Sequence, residues 1–131
     1  MGVELTMLAY STGLLILMVL IQAGAGVRAQ GAIPLANSRD GLPPPTGFHA
    51  RMLRVVSNHR EGLTMFAPLA LACVVAQHTN GTSAMGAQLF FYSRVAHAVL
   101  YIFGVPMVRP LAWLVGVIGT VMMLAALMGW A

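Results

Sequence analysis

The chain has 131 residues, of which 59% are apolar and only 8% charged, and its mean hydropathy is +0.83. About a quarter of residues are charged in soluble globular domains, so that class is excluded and a membrane protein is expected. The net charge of +4 comes from seven arginines and no lysine, set against Glu4, Asp40 and Glu61. Most of these arginines fall between apolar stretches, where they act as determinants of membrane orientation and not as a nucleic-acid surface.

At about 20 residues per crossing, the length allows roughly four spans with short loops. Residues 1–131 therefore read as a single all-α membrane domain built as a bundle of four transmembrane helices. The first expected span covers residues 4 to about 27 and is apolar from Leu5 to Ala25 apart from Thr6, Tyr10, Ser11, Thr12 and Gln22. It has Glu4 and no basic residue ahead of it, and it is too long for a signal sequence, so it reads as a retained span. From Arg28 to about Gly47 the chain turns loop-like and includes Pro43, Pro44 and Pro45. Three consecutive prolines predict an extended connection here.

The second helix is expected to begin near Phe48, with its span at about 50–77. Residues 51–66 carry four of the ten charged side chains, Arg51, Arg54, Arg60 and Glu61, immediately before an apolar run. Arg54, Asn58 and Glu61 are spaced i, i+4, i+7 and fall within about 60° of one another on one helical face. Arg51, Ser57, His59 and Arg60 read as surface groups, and His78 as a loop residue. Pro68 lacks the N–H that would bond to residue 64, which predicts a kink. Cys73 is the only cysteine, so no intrachain disulfide can form and a buried, inert thiol is expected.

An uncharged turn follows at residues 78–83. The third span is expected at about 84–103 and carries Arg94, His97 and Tyr101 at i, i+3, i+7, again one face. The fourth, at about 108–130, starts with Arg109 and has Trp113 and Trp130 near its two ends, as interfacial aromatic anchors do. The loop after the first span and the turn before the fourth hold the arginines, so the positive-inside rule places them in the cytoplasm and both termini outside. Arg54, Asn58, Glu61, Arg94, Tyr101 and Arg109 then converge on one side of the membrane.

An arginine within a span costs about 2.5–3.5 kcal/mol on insertion scales, so each should face a partner or a wet cavity. Glu61 reads as the one acid available to pair with them, which leaves surplus positive charge suited to an anionic ligand. No metal site is expected: there is no HExxH, no cysteine pair, and the histidines lie on different segments.

The string from Arg54 through Asn58 to Glu61, followed by Phe66, together with Arg94-Val-Ala-His97-Ala-Val-Leu-Tyr101 and the later Arg109, resembles the MAPEG family. These are membrane-associated proteins in eicosanoid and glutathione metabolism. The resemblance implies a homotrimer of four-helix protomers, with glutathione held as co-substrate between neighbouring protomers on the cytoplasmic side. It implies that Arg28, Arg54, Asn58, Glu61, Arg94 and His97 hold glutathione, with Arg109 and Tyr101 at its thiol. A transferase or peroxidase acting on lipophilic electrophiles from the bilayer is then expected, the other partners being membrane lipids.

Ser57 stands where some relatives have a further arginine, and Pro110 where the family's prostaglandin synthase has a serine. These departures disfavour eicosanoid synthesis, and the Arg-only, Ala- and Gly-rich composition points to a bacterial inner-membrane member. The alternative is a non-catalytic subunit that keeps the fold, binds a lipid, and serves as a scaffold or accessory in a larger membrane complex.

Overall fold

A computed structural model describes residues 1–131 as five helices: α1 (Val3–Gln30), α2 (Ala32–Ala36), α3 (Gly47–Val75), α4 (Gly81–Ile102) and α5 (Arg109–Leu127). The central pair is α3 and α4. Helix α1 packs against both from one side, α5 packs against both from the other, and α1 and α5 do not meet. Helices α1 and α5 are long and apolar enough to cross a membrane. Only 28 residues are buried, while Leu17, Leu20, Val75, Leu111 and Val121 lie exposed. An exterior this apolar is suited to lipid or to other protein surfaces, not to water.

The helix ends follow from local chemistry. Helix α1 stops at Gly31, whose φ of 84° is open to glycine and strained for other residues. Helix α4 begins with a reciprocal cap: the Asn80 side chain accepts from the Ser83 N–H at 3.0 Å, and the Ser83 hydroxyl accepts from the Asn80 N–H at 2.8 Å. Pro110 occupies the first turn of α5, where its missing N–H leaves no helix bond unmade.

Helices α4 and α5 approach closely because three glycines line their seam. A Cβ on Gly86 would stand 2.5 Å from the Gly119 carbonyl oxygen, a Cβ on Gly119 would stand 2.5 Å from the Gly86 carbonyl oxygen, and one on Gly116 would stand 2.7 Å from Ser93 Oγ. Small residues of this kind let membrane helices gain van der Waals contact along their backbones.

The interior is layered. One apolar cluster joins Met7, Leu63, Phe66, Ala70, Cys73, Ala87, Phe90 and Met123, with the Phe66 and Phe90 rings stacked at 4.1 Å. A second joins Met18, Met52, Val55, Val56 and Ala98. Between them in chain register, on α1, α3 and α4 respectively, lie the buried polar residues Ser11, His59 and Arg94. A single polar layer therefore crosses the bundle between two apolar ones.

One end of the bundle gathers both termini and the α3–α4 turn. His78 Nδ1 lies 2.7 Å from the Leu127 carbonyl oxygen, Asn80 Nδ2 donates to the Ala131 carbonyl oxygen at 2.9 Å, and the Ser83 hydroxyl donates to Glu4.

The four long helices, Val3–Gln30, Gly47–Val75, Gly81–Ile102 and Arg109–Leu127, coincide to within a few residues with the stretches expected as spans at about 4–27, 50–77, 84–103 and 108–130. Other sequence expectations need correction. The connection after α1 is not wholly extended, because Ala32–Ala36 form the short helix α2 before the prolines. His59 is no surface group: it is 1% exposed. The buried carboxylate is Glu4, whereas Glu61 lies exposed on α3, so Glu4 is a second acid within the helical bundle. Cys73 is fully buried, and its Sγ donates to the Met123 carbonyl oxygen at 3.5 Å.

Candidate functional site

Arg94 is the most deeply placed arginine, 3% exposed. Its Nη2 donates to Asn58 Oδ1 at 2.6 Å and its Nε to His59 Nδ1 at 3.3 Å. The rest of the guanidinium lies against the backbone of Gly62, where a Cβ would stand 3.7 Å from Cζ and Nη1. Asn58 and His59 can both reach Arg94 because successive helical positions turn by about 100° and straddle the α3–α4 line. The hydrogen bonds of this charge thus go to neutral acceptors, with Glu61 one turn away on α3.

One and two turns further along α4 stand His97 and Tyr101, with ring centroids 5.6 Å apart. His97 is buried, and its Nδ1 has no hydrogen-bond partner within the protein. The guanidinium of Arg109, at the start of α5, lies over the Tyr101 ring at 4.6 Å from the centroid. A cation over an aromatic face gains roughly 0.5–2 kcal/mol, so the ring fixes where this charge sits.

Asn58, His97, Tyr101 and Arg109 line one cavity of about 370 Å³, whose remaining walls are Met107, Pro110 and Trp113. Arg94 stands behind it, bonded to Asn58. Four of the eight predicted site residues therefore share a cavity and a fifth backs it. Arg54 and Glu61 flank Asn58 by one turn on either side of the same α3 face, and both are exposed. Arg28 is not brought to this cavity. It is exposed near the end of α1 and borders a different depression, with Thr46, Phe48 and His49.

Sequence reasoning missed His59, although a signal for it exists. The buried α3 positions Met52, Val55, His59, Leu63, Phe66, Ala70 and Cys73 recur every three or four residues, and His59 falls in that register. Its imidazole belongs to the buried stripe, whereas Asn58 belongs to the adjoining polar face.

A helical bundle with apolar outer helices, one buried arginine and an open cleft beside it lined by Asn58, His97, Tyr101 and Arg109 is the architecture of a membrane protein. The sequence profile of the MAPEG family matches residues 5–129, nearly the whole chain, and the protein belongs to that family. Neither the curated proteins nor the solved structures contain a match to it.

Proposed function

We propose that this protein is an integral-membrane glutathione transferase or peroxidase that acts on lipophilic electrophiles. The observation that carries the reading is the cavity in which Asn58, His97, Tyr101 and Arg109 meet. Around it, Arg54, Arg94 and Arg109 outweigh the single acid Glu61, which favours an anionic ligand. Glutathione matches these groups: its two carboxylates suit arginine, its ammonium suits Glu61, and its amides suit Asn58.

The residues would divide the work as follows. The Arg109 guanidinium favours thiolate over thiol at the sulfur, and the thiolate is the nucleophile. The Tyr101 ring positions Arg109, and its hydroxyl is available to hydrogen-bond the sulfur. Attack on an electrophilic carbon forms a C–S bond, and the electron pair leaves with the leaving group or moves along an activated double bond. With a hydroperoxide, the thiolate attacks oxygen and releases an alcohol, and a second glutathione then closes the disulfide with loss of water.

All four long helices serve as spans in this reading, in a trimer whose ligand lies between protomers. Helix α4, the shorter of the inner pair at 22 residues, is about 33 Å long, enough to cross a bilayer core. Arg54 and Glu61, exposed on α3, would be costly against lipid, which supports a second copy covering them. Arg28 could then reach a neighbour's site and not its own. The arginine-rich end faces the cytoplasm by the positive-inside rule.

The test is a titration of the purified protein with glutathione, followed by thiolate absorbance. A saturable thiolate signal that Arg109→Ala removes is expected. Wild-type protein that yields no such signal refutes the reading.

A further inference from the structure

We propose that His59, which lies outside the cavity, is a positioning residue that orients Arg94 and through it presents the Asn58 amide to the ligand. The inference rests on the glutathione reading and adds to it a residue that touches neither ligand nor cavity.

The hydrogen-bond partners determine the geometry. His59 Nε2 lies 2.8 Å from the carbonyl oxygen of Ser11 on α1, inside the bundle. A carbonyl only accepts, so Nε2 carries the proton. The opposite nitrogen, Nδ1, faces the Nε–H of Arg94 at 3.3 Å. A guanidinium only donates, so Nδ1 presents its lone pair. Both partners select the same neutral tautomer, and the imidazole is locked between α1 and α4 at 1% exposure.

The consequence runs outward. Arg94 is pinned at two atoms, Nε by His59 and Nη2 by Asn58 Oδ1, so its plane cannot rotate. With Oδ1 committed to Arg94, the Asn58 amide cannot flip, and its NH2 group is left free to donate on the cavity side. A ligand carboxylate or peptide carbonyl reaching Asn58 then meets a donor. Without His59, Arg94 keeps a single anchor and the amide loses its fixed sense. Leaving a buried donor unmatched also carries a cost of its own.

Two substitutions separate positioning from packing. In His59→Gln the side-chain NH2 can donate to the Ser11 carbonyl and the oxygen can accept from Arg94. In His59→Leu neither is possible, although the volume is largely kept. The experiment measures glutathione affinity by calorimetry and, separately, solvent exchange of the Arg94 Nε–H by nitrogen-15 NMR in isotope-labelled protein.

Expected are a loss of affinity of roughly tenfold in His59→Leu, substantial recovery in His59→Gln, and an Arg94 Nε–H that exchanges far more slowly in wild type than that of exposed Arg60. Equal affinity in wild type and His59→Leu overturns the assignment. So does fast Arg94 Nε–H exchange in wild type, a measurement that needs no variant to fold. Wild-type protein that binds no glutathione refutes the parent reading instead, and the NMR measurement still decides whether the clamp exists.

Discussion

Arg94 Nη2 on α4 lies 2.6 Å from Asn58 Oδ1 on α3, so the buried cation of the bundle is hydrogen-bonded by an uncharged amide. A neutral acceptor has a mechanistic advantage over a carboxylate. It satisfies the guanidinium without cancelling its field, and the positive potential remains available to the adjoining cavity.

Replacing Asn58 should therefore separate stability from binding. Asn58→Ala strips the guanidinium of one of its two anchors, and losing a buried hydrogen bond to a charged group costs about 1.5–3 kcal/mol. A lower melting temperature and weaker glutathione binding are both expected. Asn58→Asp keeps an acceptor for Arg94 but removes the amide donor and neutralises the field. It should melt near wild type while losing tenfold or more in affinity, on the order of 1.4 kcal/mol or above. Parallel thermal melts and calorimetry in detergent check both outcomes, and an Asn58→Asp protein that binds as wild type does would contradict the role given to the field.

The termini make a second asymmetric pair. Ser83 Oγ donates to Glu4, lies 3.0 Å from the Asn80 carbonyl oxygen as an alternative acceptor, and accepts the Asn80 N–H at the α4 cap. Glu4→Gln leaves a carbonyl oxygen that still accepts from the hydroxyl, so its effect on stability should be small. Ser83→Ala removes the bond to a buried carboxylate and half of the reciprocal cap together. It should cost about 2.5–4 kcal/mol, from a cap worth about 1 and a charged hydrogen bond worth about 1.5–3. Melting temperatures of the two variants give the order, and a larger loss in Glu4→Gln would reverse the account.

Much of this architecture was legible because periodicity and charge leave strong marks on an apolar chain. The four long helices, the shared face of Arg54, Asn58 and Glu61, and the spacing of Arg94, His97 and Tyr101 all follow from helical geometry. What escaped depended on which element lies opposite. Glu4 seemed merely to precede a span, and only the approach of Ser83, 79 positions away, makes it a buried group. His59 seemed polar and therefore outward, yet the Ser11 carbonyl and Arg94 supply partners that no local pattern reveals. The short helix α2 was hidden by Pro34 within it and by the three consecutive prolines that follow at 43–45, which together dominate the local signal.

The glycine seam offers a test of how α5 is held. A methyl on Gly119 would stand 2.5 Å from the Gly86 carbonyl oxygen and 2.9 Å from the Phe90 nitrogen, both backbone atoms that cannot swing aside. Gly119→Ala should force α4 and α5 apart at a cost of about 1–3 kcal/mol. Gly13→Ala, where nothing lies within 4 Å, should be neutral or slightly stabilising, because alanine favours the helix by about 1 kcal/mol. Comparing the two melts isolates close packing from propensity, and equal effects would show that the seam does not need glycine.

Tyr101 carries two separable functions, and its variants should divide them. Arg109 rests on the ring face at 4.6 Å, a contact that phenylalanine can also make. Tyr101→Phe should therefore keep Arg109 in place and retain the thiolate signal of bound glutathione, with any loss in turnover reporting the hydroxyl alone. Tyr101→Ala removes the platform as well, and the half-buried Arg109 at the start of α5 then loses the ring contact over the cavity. Thiolate absorbance should fall toward that of Arg109→Ala, while glutathione affinity, which also rests on Arg54, Asn58 and Glu61 in the proposed site, should fall less. If Tyr101→Phe lost the thiolate signal as completely as Tyr101→Ala, the hydroxyl and not the ring-bound guanidinium would be the group that stabilises the sulfur, and the roles of Tyr101 and Arg109 would have to be exchanged.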